Sequence, residues 1–176
     1  MSADSPHDAL FIKPFTAGDW AVLCGLRVHQ LAEHGIFVEK MADQPDLDSP
    51  YETDYHRMEQ VYLHGAGNFW IAWWDETPVG HIGAQDVGGA IELRRLYVRA
   101  AYRRRGVGSA LVRTLIAHCT AYGARAIELW TAVDGPGRSL YARLGFRVVK
   151  QRGQEFKDVP NSPGEIRMRL ALTGSP

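Results

Sequence analysis

Along this chain the apolar positions change their period several times, and each change marks an element. Leu10 to Phe15 (LFIKPF) form a short apolar run that predicts a first strand. From Asp19 onward, apolar residues recur at Trp20, Leu23, Cys24 and Leu31, with Arg27 interrupting. That spacing predicts a helix, with Thr16 or Asp19 as its cap. The segment ADQPDLDSP then breaks the pattern as a loop. A second helix is predicted over Glu52 to His64, with Tyr55, Met58 and Tyr62 on one face.

NFWIAWW, VGHIGAQD and AIELRRLYV follow as three strands, joined by DETP and by Gly88–Gly89. Connections this short suit hairpins, so the strands form an antiparallel meander. From Val107 to Tyr122 the apolar positions are Val107, Leu111, Val112, Leu115, Ile116 and Cys119, a helix buried on one face. AIELWTA is the next strand. A short helix, about Pro136 to Leu144, ends at Gly145, which suits a left-handed C-cap. FRVVK is a further strand. IRMRLAL closes the pattern, with Ile166, Met168 and Leu170 alternating against Arg167, Arg169 and Ala171.

The unit AIELRRLYV–helix–AIELWTA is a crossover, which makes its two strands parallel and neighbouring or nearly so. The fold expected is a mixed, mostly antiparallel sheet around a central parallel strand–helix–strand unit, with helices packed on both faces. Its class is α+β, or loosely α/β. Neither repeats nor a linker divide the chain, so one domain is expected over residues 1–176, with its core at about 10–172.

Composition adds little that is specific. The chain has 176 residues, 45% of them apolar and 23% charged, which is ordinary for a globular domain with one core. No apolar stretch approaches the roughly 18 residues of a membrane span. MSADSPHDAL lacks the basic and apolar regions of a secretory signal. Cys24 and Cys119 are spaced unlike a zinc or redox pair and are expected to be buried hydrophobes. A cytoplasmic protein without metal or membrane attachment is the default expectation.

Charge is more informative. Lys and Arg total 20 and Asp and Glu total 20, yet RRLYVRAAYRRRGVG gathers six arginines: Arg94, Arg95, Arg99, Arg103, Arg104 and Arg105. Arg103 to Gly108 lie between a strand end and a helix start. Helix starts leave amides unpaired and partially positive, which suits an anion. Gly106 and Gly108 let a ligand approach the backbone itself, and arginines offer planar donors to phosphate. The plainer reading is a solvated basic turn. Neither a P-loop nor G-x-G-x-x-G is present. The balanced total charge and the lack of a reader motif speak against nucleic acid.

LYVRAAYRRRGVGSALV resembles the cofactor-binding motif of the GCN5-related N-acetyltransferases (GNAT), whose core is [QR]-x-x-G-x-[GA]. Here that core is Arg103-Arg104-Arg105-Gly106-Val107-Gly108. RSLYARLGF resembles the family's other hallmark, a Tyr four residues before a Gly-Phe pair. The resemblance implies that the two parallel strands splay apart and admit acetyl-CoA. Its pantetheine amides would pair with backbone around Leu96, Tyr97 and Val98. Its diphosphate would rest on the turn of Arg103, Arg104, Arg105, Gly106, Val107, Gly108 and Ser109. The activity implied is direct acetyl transfer, in a ternary complex, to a primary amine of a small molecule or peptide. The alternative is a non-catalytic acyl-CoA-binding or sensing module on the same fold.

Transfer needs a neutral amine and a reprotonated thiolate. A lysine-like amine with pKa about 10.4 is almost wholly protonated at neutral pH, whereas an α-amino group near 8 is not. The need for a base therefore depends on the acceptor. Glu92 matches the strand glutamate that serves as base in some relatives. It shares the parity of Leu96 and Val98, so it faces the same way unless a bulge intervenes. The alternative is a strand carboxylate paired with an arginine, and His81 is the alternative base. Tyr141 matches the family's acid for the leaving thiolate; otherwise it is a packing tyrosine. Where many relatives carry Asn this chain has Asp134, able to cap the short helix but unable to donate as an amide does.

The resemblance places the acceptor wall at the first two helices and their loop. That region carries Glu33, Glu39, Asp43, Asp46, Asp48, Glu52 and Asp54, which would suit a cationic amine. An exposed polar loop is the plainer reading. His29, His34, Trp70, Trp73 and Trp74 are candidates to line a pocket, with core packing favoured for the tryptophans. Nothing in the sequence decides between a monomer and a homodimer.

Overall fold

The computed structural model describes residues 10–35, 53–152 and 164–172. One sheet of seven strands runs through all three segments: β1 (Leu10–Pro14), β2 (Asn68–Trp74), β3 (Thr77–Asp86), β4 (Ile91–Val98), β5 (Ala126–Ala132), β6 (Arg147–Arg152) and β7 (Glu165–Ala171). Their order across the sheet is β1-β2-β3-β4-β5-β7-β6. Every neighbouring pair is antiparallel except β4 and β5. The expected mixed sheet, with its single parallel crossover, is therefore what the chain forms.

Helices α1 (Trp20–Glu33), α4 (Val107–Ala121) and α5 (Gly137–Arg143) follow the predicted spacings. A helical turn at Ala17–Asp19 leads into α1, and there the Thr16 amide and hydroxyl both donate to the Asp19 carboxylate. The helix expected from Glu52 to His64 is instead two short turns, α2 (Thr53–His56) and α3 (Met58–Val61), broken at Arg57. Its start at Glu52 lies outside the described residues. Tyr55, Met58 and Tyr62 are nonetheless all buried.

Two cores lie on opposite sides of the sheet. Val107, Leu111, Val112, Leu115 and Cys119 of α4 pack on one side against Ile82, Leu93, Ile127, Leu129 and Met168. On the other side Leu23 and Leu26 of α1 meet Tyr55, Met58, Tyr62, Phe69, Ile71 and Tyr97. Trp70 belongs to the first core. Trp73 stacks on Phe11, and Trp74 lies against Tyr102, so none of the three tryptophans lines the site described below. Cys24 and Cys119 are both buried and are not joined in a disulfide.

The feature that positions the site is a bulge in β4. The ladder with β3 runs from Asp86↔Ile91 to Gly83↔Arg94 and resumes at His81↔Tyr97, so Arg95 and Leu96 together stand opposite Ile82. Arg95 holds a left-handed backbone, with φ +56°. For a residue with a side chain this costs about 1–2 kcal/mol. An ion pair offsets it: Arg95 Nε donates to Asp54 Oδ2 at 2.8 Å and Nη2 donates to Oδ1 at 2.5 Å. The Tyr62 hydroxyl also donates to Asp54, and the Arg95 guanidinium lies over the Tyr55 ring. Burial alone would raise the Asp54 pKa, but Arg95 and Tyr62 outweigh it and hold the carboxyl below its usual range.

Replacing Asp54 by Ala removes the paired carboxylate from a largely buried guanidinium. A loss of about 3–5 kcal/mol in unfolding free energy is expected from urea titration. Asp54→Asn, which keeps an acceptor oxygen, should lose less.

Candidate active site

The bulge decides which way each β4 side chain faces. Ile91 and Leu93 before it, and Leu96 and Val98 after it, all pack on the α4 side. Glu92 alternates with Ile91 and Leu93, so it faces the opposite side of the sheet. The parity expected of Glu92 with Leu96 and Val98 is thus overturned, because Arg95 adds a residue between them. Glu92 does not line the cleft that those two residues form.

That cleft opens where β4 and β5 part. Their ladder pairs only Ile91↔Ile127 and Glu92↔Glu128. Beyond that point Leu96, Tyr97 and Val98 form one wall and Thr131 and Ala132 the other, around a cavity of about 1040 Å³. Gly106, Gly108 and Ser109 close one end and the α5 residues Leu140 and Tyr141 another. Gln30, Glu33 and His34 from the end of α1 also reach it, while His29 does not.

The start of α4 is built for close approach. Gly106 caps the helix with φ +87°, and a Cβ there would meet open space within 4 Å. At Gly108 a Cβ would sit 3.4 Å from Leu140 Cδ2 and 3.8 Å from Val98 Cγ2, at the cleft wall. Among the described residues, none of the amides from Arg104 to Ser109 meets a backbone acceptor. A row of free amides at a helix N-terminus favours an anion.

The arginine run divides sharply. Arg103 and Arg104 line the cleft, and Arg104 holds φ +64° in the turn. Arg105 turns away to lie 5.6 Å from the ring centroids of Trp74 and Tyr102. The Val107 side chain is in the core, so these two residues offer the cleft only backbone. Arg94 donates to Gln85, Arg95 pairs with Asp54, and Arg99 donates to the Pro78 carbonyl. Arg103 Nε donates to the Val98 carbonyl at 2.9 Å, and its Nη2 pairs with Glu33.

Glu33 is the residue that sequence reasoning undervalued. It accepts from the Tyr97 hydroxyl at 2.9 Å, from the Ala100 amide at 3.1 Å and from Arg103. Burial pushes its pKa up, but these donors prevail and hold it low, which makes it a poor base. No local signal marks it, since its partners lie 64 to 70 residues away. Of the other acidic residues expected in the acceptor wall, Asp54 is buried against Arg95, and Glu39, Asp43, Asp46, Asp48 and Glu52 lie outside the described residues.

Tyr141 is 6% exposed and packs edge-on against Phe146 at 5.7 Å between ring centroids. Burial raises its pKa well above the ordinary phenol value. The hydroxyl therefore stays protonated and is available to donate. Asp134 does not cap α5. Pro136 holds the cap position, and Asp134 is exposed. His81 is fully buried among Tyr55, Phe69 and Tyr97 on the α1 side. Its Nδ1 bonds to the Arg95 carbonyl at 2.7 Å. A carbonyl only accepts, so Nδ1 carries the proton and Nε2 is left without a partner. His81 does not line the cleft.

Comparison with known proteins gives a consistent picture. A model of the acetyltransferase (GNAT) family matches residues 34–146. Human N-acetylaspartate synthetase is 32% identical over 105 residues, covering 57% of this chain and 35% of that protein. Human N-acetyltransferase 8 is 32% identical over 118 residues, covering 62% of this chain and 51% of that protein. The chain thus spans between a third and about half the length of these relatives. Among solved structures, yncA from Salmonella typhimurium with acetyl-CoA superposes with a TM-score of 0.72 at 18% identity, covering 95% of this chain and 96% of that one. An acetyltransferase of the GNAT family from Staphylococcus aureus gives 0.71 at 23% identity, covering 94% of this chain and all of that one.

The buried imidazole leaves a signature in pH-dependent stability. Burial lowers the His81 pKa from 6.5 to about 3, although the bond to the Arg95 carbonyl opposes this. Between those values the unfolded chain binds a proton that the folded chain refuses. Stability therefore falls as pH drops below about 6.5, by up to about 1.4 kcal/mol per pH unit. In His81→Gln, the slope of urea stability between pH 6.5 and pH 5 should flatten by that contribution.

Proposed function

Because the chain belongs to the acetyltransferase (GNAT) family, we propose that it transfers the acetyl group of acetyl-CoA to a primary amine, directly, within one ternary complex. The observation that carries this reading is the cleft itself. It is a gap between parallel strands that ends on free amides at the start of α4 and holds a buried tyrosine in its wall. The solved structures of yncA with acetyl-CoA and of PaiA N-acetyltransferase from Thermoplasma acidophilum with coenzyme A support the choice of donor. Relatives named N-acetylaspartate synthetase support a small amine as acceptor.

The residues present fit such a donor. The amides from Arg104 to Ser109 would take the diphosphate, helped by Arg103 and Arg104. Backbone around Leu96 and Val98 would pair with the pantetheine arm, since this part of β4 has no ladder with β5. Arg103 already donates to the Val98 carbonyl, whose second lone pair stays open to a further donor. Acetyl-CoA supplies a thioester, whose carbon–sulfur bond breaks as the amine nitrogen bonds to the acetyl carbon.

The chain's own part is orientation and proton handling. Tyr141, in the cleft wall, would serve the leaving sulfur. A phenol with a raised pKa is a weaker acid than a thiol near 8.5, so complete proton transfer is uphill. Its contribution is a hydrogen bond that strengthens as charge grows on sulfur. On the amine side Glu33 is held ionised by its donors and His81 is sealed in the core. Glu92 lies on the other side of the sheet, where β4 still pairs with β5, and does not reach the cleft directly. An acceptor with a low amine pKa needs the least help from a base.

Tyr141→Phe should lower kcat by about 10- to 100-fold with little change in the dissociation constant for acetyl-CoA, measured by thiol release and by calorimetry. Gly108→Trp should fill the cleft and abolish the thermal protection that acetyl-CoA gives the wild-type chain. Tight acetyl-CoA binding with no thiol release across a broad amine panel would replace this reading with a sensing module.

A further inference from the structure

Among the described residues, the sheet is covered unevenly. On one side α4 and α5 bury Ile127, Leu129, Ile166 and Met168. On the other side α1 packs across β3, and β5, β7 and β6 present charged side chains. The register puts Glu128 beside Arg169 and Trp130 beside Arg167 on this face, with Arg147 and Lys150 next on β6.

The ratio of charges there is unequal. Glu128, its side chain 10% exposed, accepts from both Arg167 Nη2 and Arg169 Nη1. One buried carboxylate thus orients two guanidinium groups that are 41% and 45% exposed. Each guanidinium has five N–H donors in a fixed fork, and Glu128 engages only one on each. The trio keeps a net positive charge, with planar donors left at the surface. Arg152 does not add to that surplus, because it pairs with Glu165 and lies over the Trp130 ring at 4.1 Å.

The trio also stands next to the cleft. Trp130, opposite Arg167, immediately precedes Thr131 and Ala132 of the cleft wall. Those positions are about 3 and 7 Å further along the strand. Glu92, in register with Glu128, faces the same side. Two other described acidic residues are engaged elsewhere, Glu33 by Arg103 and Asp54 by Arg95, which leaves Glu92 as the carboxylate next to the trio on this face.

We propose that Arg167 and Arg169, held by Glu128, form a carboxylate-binding site for the acceptor. The acceptor is then an amine that carries a carboxylate, either an acidic amino acid or the acidic end of a peptide. This rests on the acetyltransferase reading. The arginines take the carboxylate in the bidentate manner suited to guanidinium groups, on the side of the sheet opposite α4. The amine is left to enter the gap between β4 and β5.

The test is thiol release with matched acceptors: aspartate against asparagine, glutamate against glutamine, and a short peptide with an acidic N-terminal residue against its amide counterpart. The wild-type chain should prefer the acid of each pair. The two amino-acid pairs and the peptide pair separate a free amino acid from a peptide end. Arg167→Ala and Arg169→Ala should raise KM for the acid by roughly 10- to 100-fold. KM for the neutral partner, and thermal protection by acetyl-CoA, should change little. Arg167→Lys keeps the charge beside Glu128 while losing the fork, and serves as a second variant should the Ala forms fold poorly; it too should raise KM for the acid selectively. Equal use of acid and amide, equal losses for both in the variants, or no release with any acid would overturn the proposal. Turnover of neutral amines alone would overturn it and leave the acetyltransferase reading standing. Failure of acetyl-CoA to bind the wild-type chain would overturn both.

Discussion

The ion pair between Arg95 and Asp54 holds the site in place. A left-handed arginine in the middle of a strand is a strained conformation, and a bidentate carboxylate anchors it. The bulge that results turns Leu96 and Val98 toward the α4 side and leaves Glu92 on the other. The pairing of β4 with β5 ends just before the bulge, after Glu92, and the gap beyond is the cleft. The anchor comes from α2, 41 residues earlier in the chain, so a helix on one side of the sheet shapes a cleft that opens between its strands.

A second theme is that charge near the cleft is committed in pairs. Glu33 binds Arg103 and ties the end of α1 to Tyr97 and Ala100. Asp54 binds Arg95, and Glu128 binds two arginines at once. Each pair crosses between elements far apart in sequence, so electrostatics here joins α1, α2, β4, β5 and β7 as well as tuning the site. The amides at the start of α4 are different. They carry no side chain, cannot be neutralised by titration, and stay available to an anion at any pH that keeps the fold.

Much of this was legible in the sequence. The strands, the three longer helices and the parallel crossover follow from apolar period and connection length. The Arg103–Gly108 turn stands out because arginines and glycines gather at a helix start, although charge alone also allowed a solvated turn. What stayed hidden depends on long-range partners. Arg95 carries no glycine or proline signal for a bulge, and its conformation is explained only by Asp54. Without that bulge, parity places Glu92 on the wrong side. Glu33 looks like any residue at a helix end until Tyr97 and Arg103 arrive. The break at Arg57 was equally silent, since Tyr55, Met58 and Tyr62 stay buried whether or not the helix is continuous.

The two thiols have a practical consequence. Cys24 belongs to α1 on one side of the sheet and Cys119 to α4 on the other, each buried. With the sheet between them no internal disulfide can form, and a reagent in solution finds little sulfur to attack. Burial also pushes the Cys119 thiol up to about 12, far from the reactive thiolate. Only an opened chain would surrender both sulfurs, so the protein carries its own gauge of whether it is intact.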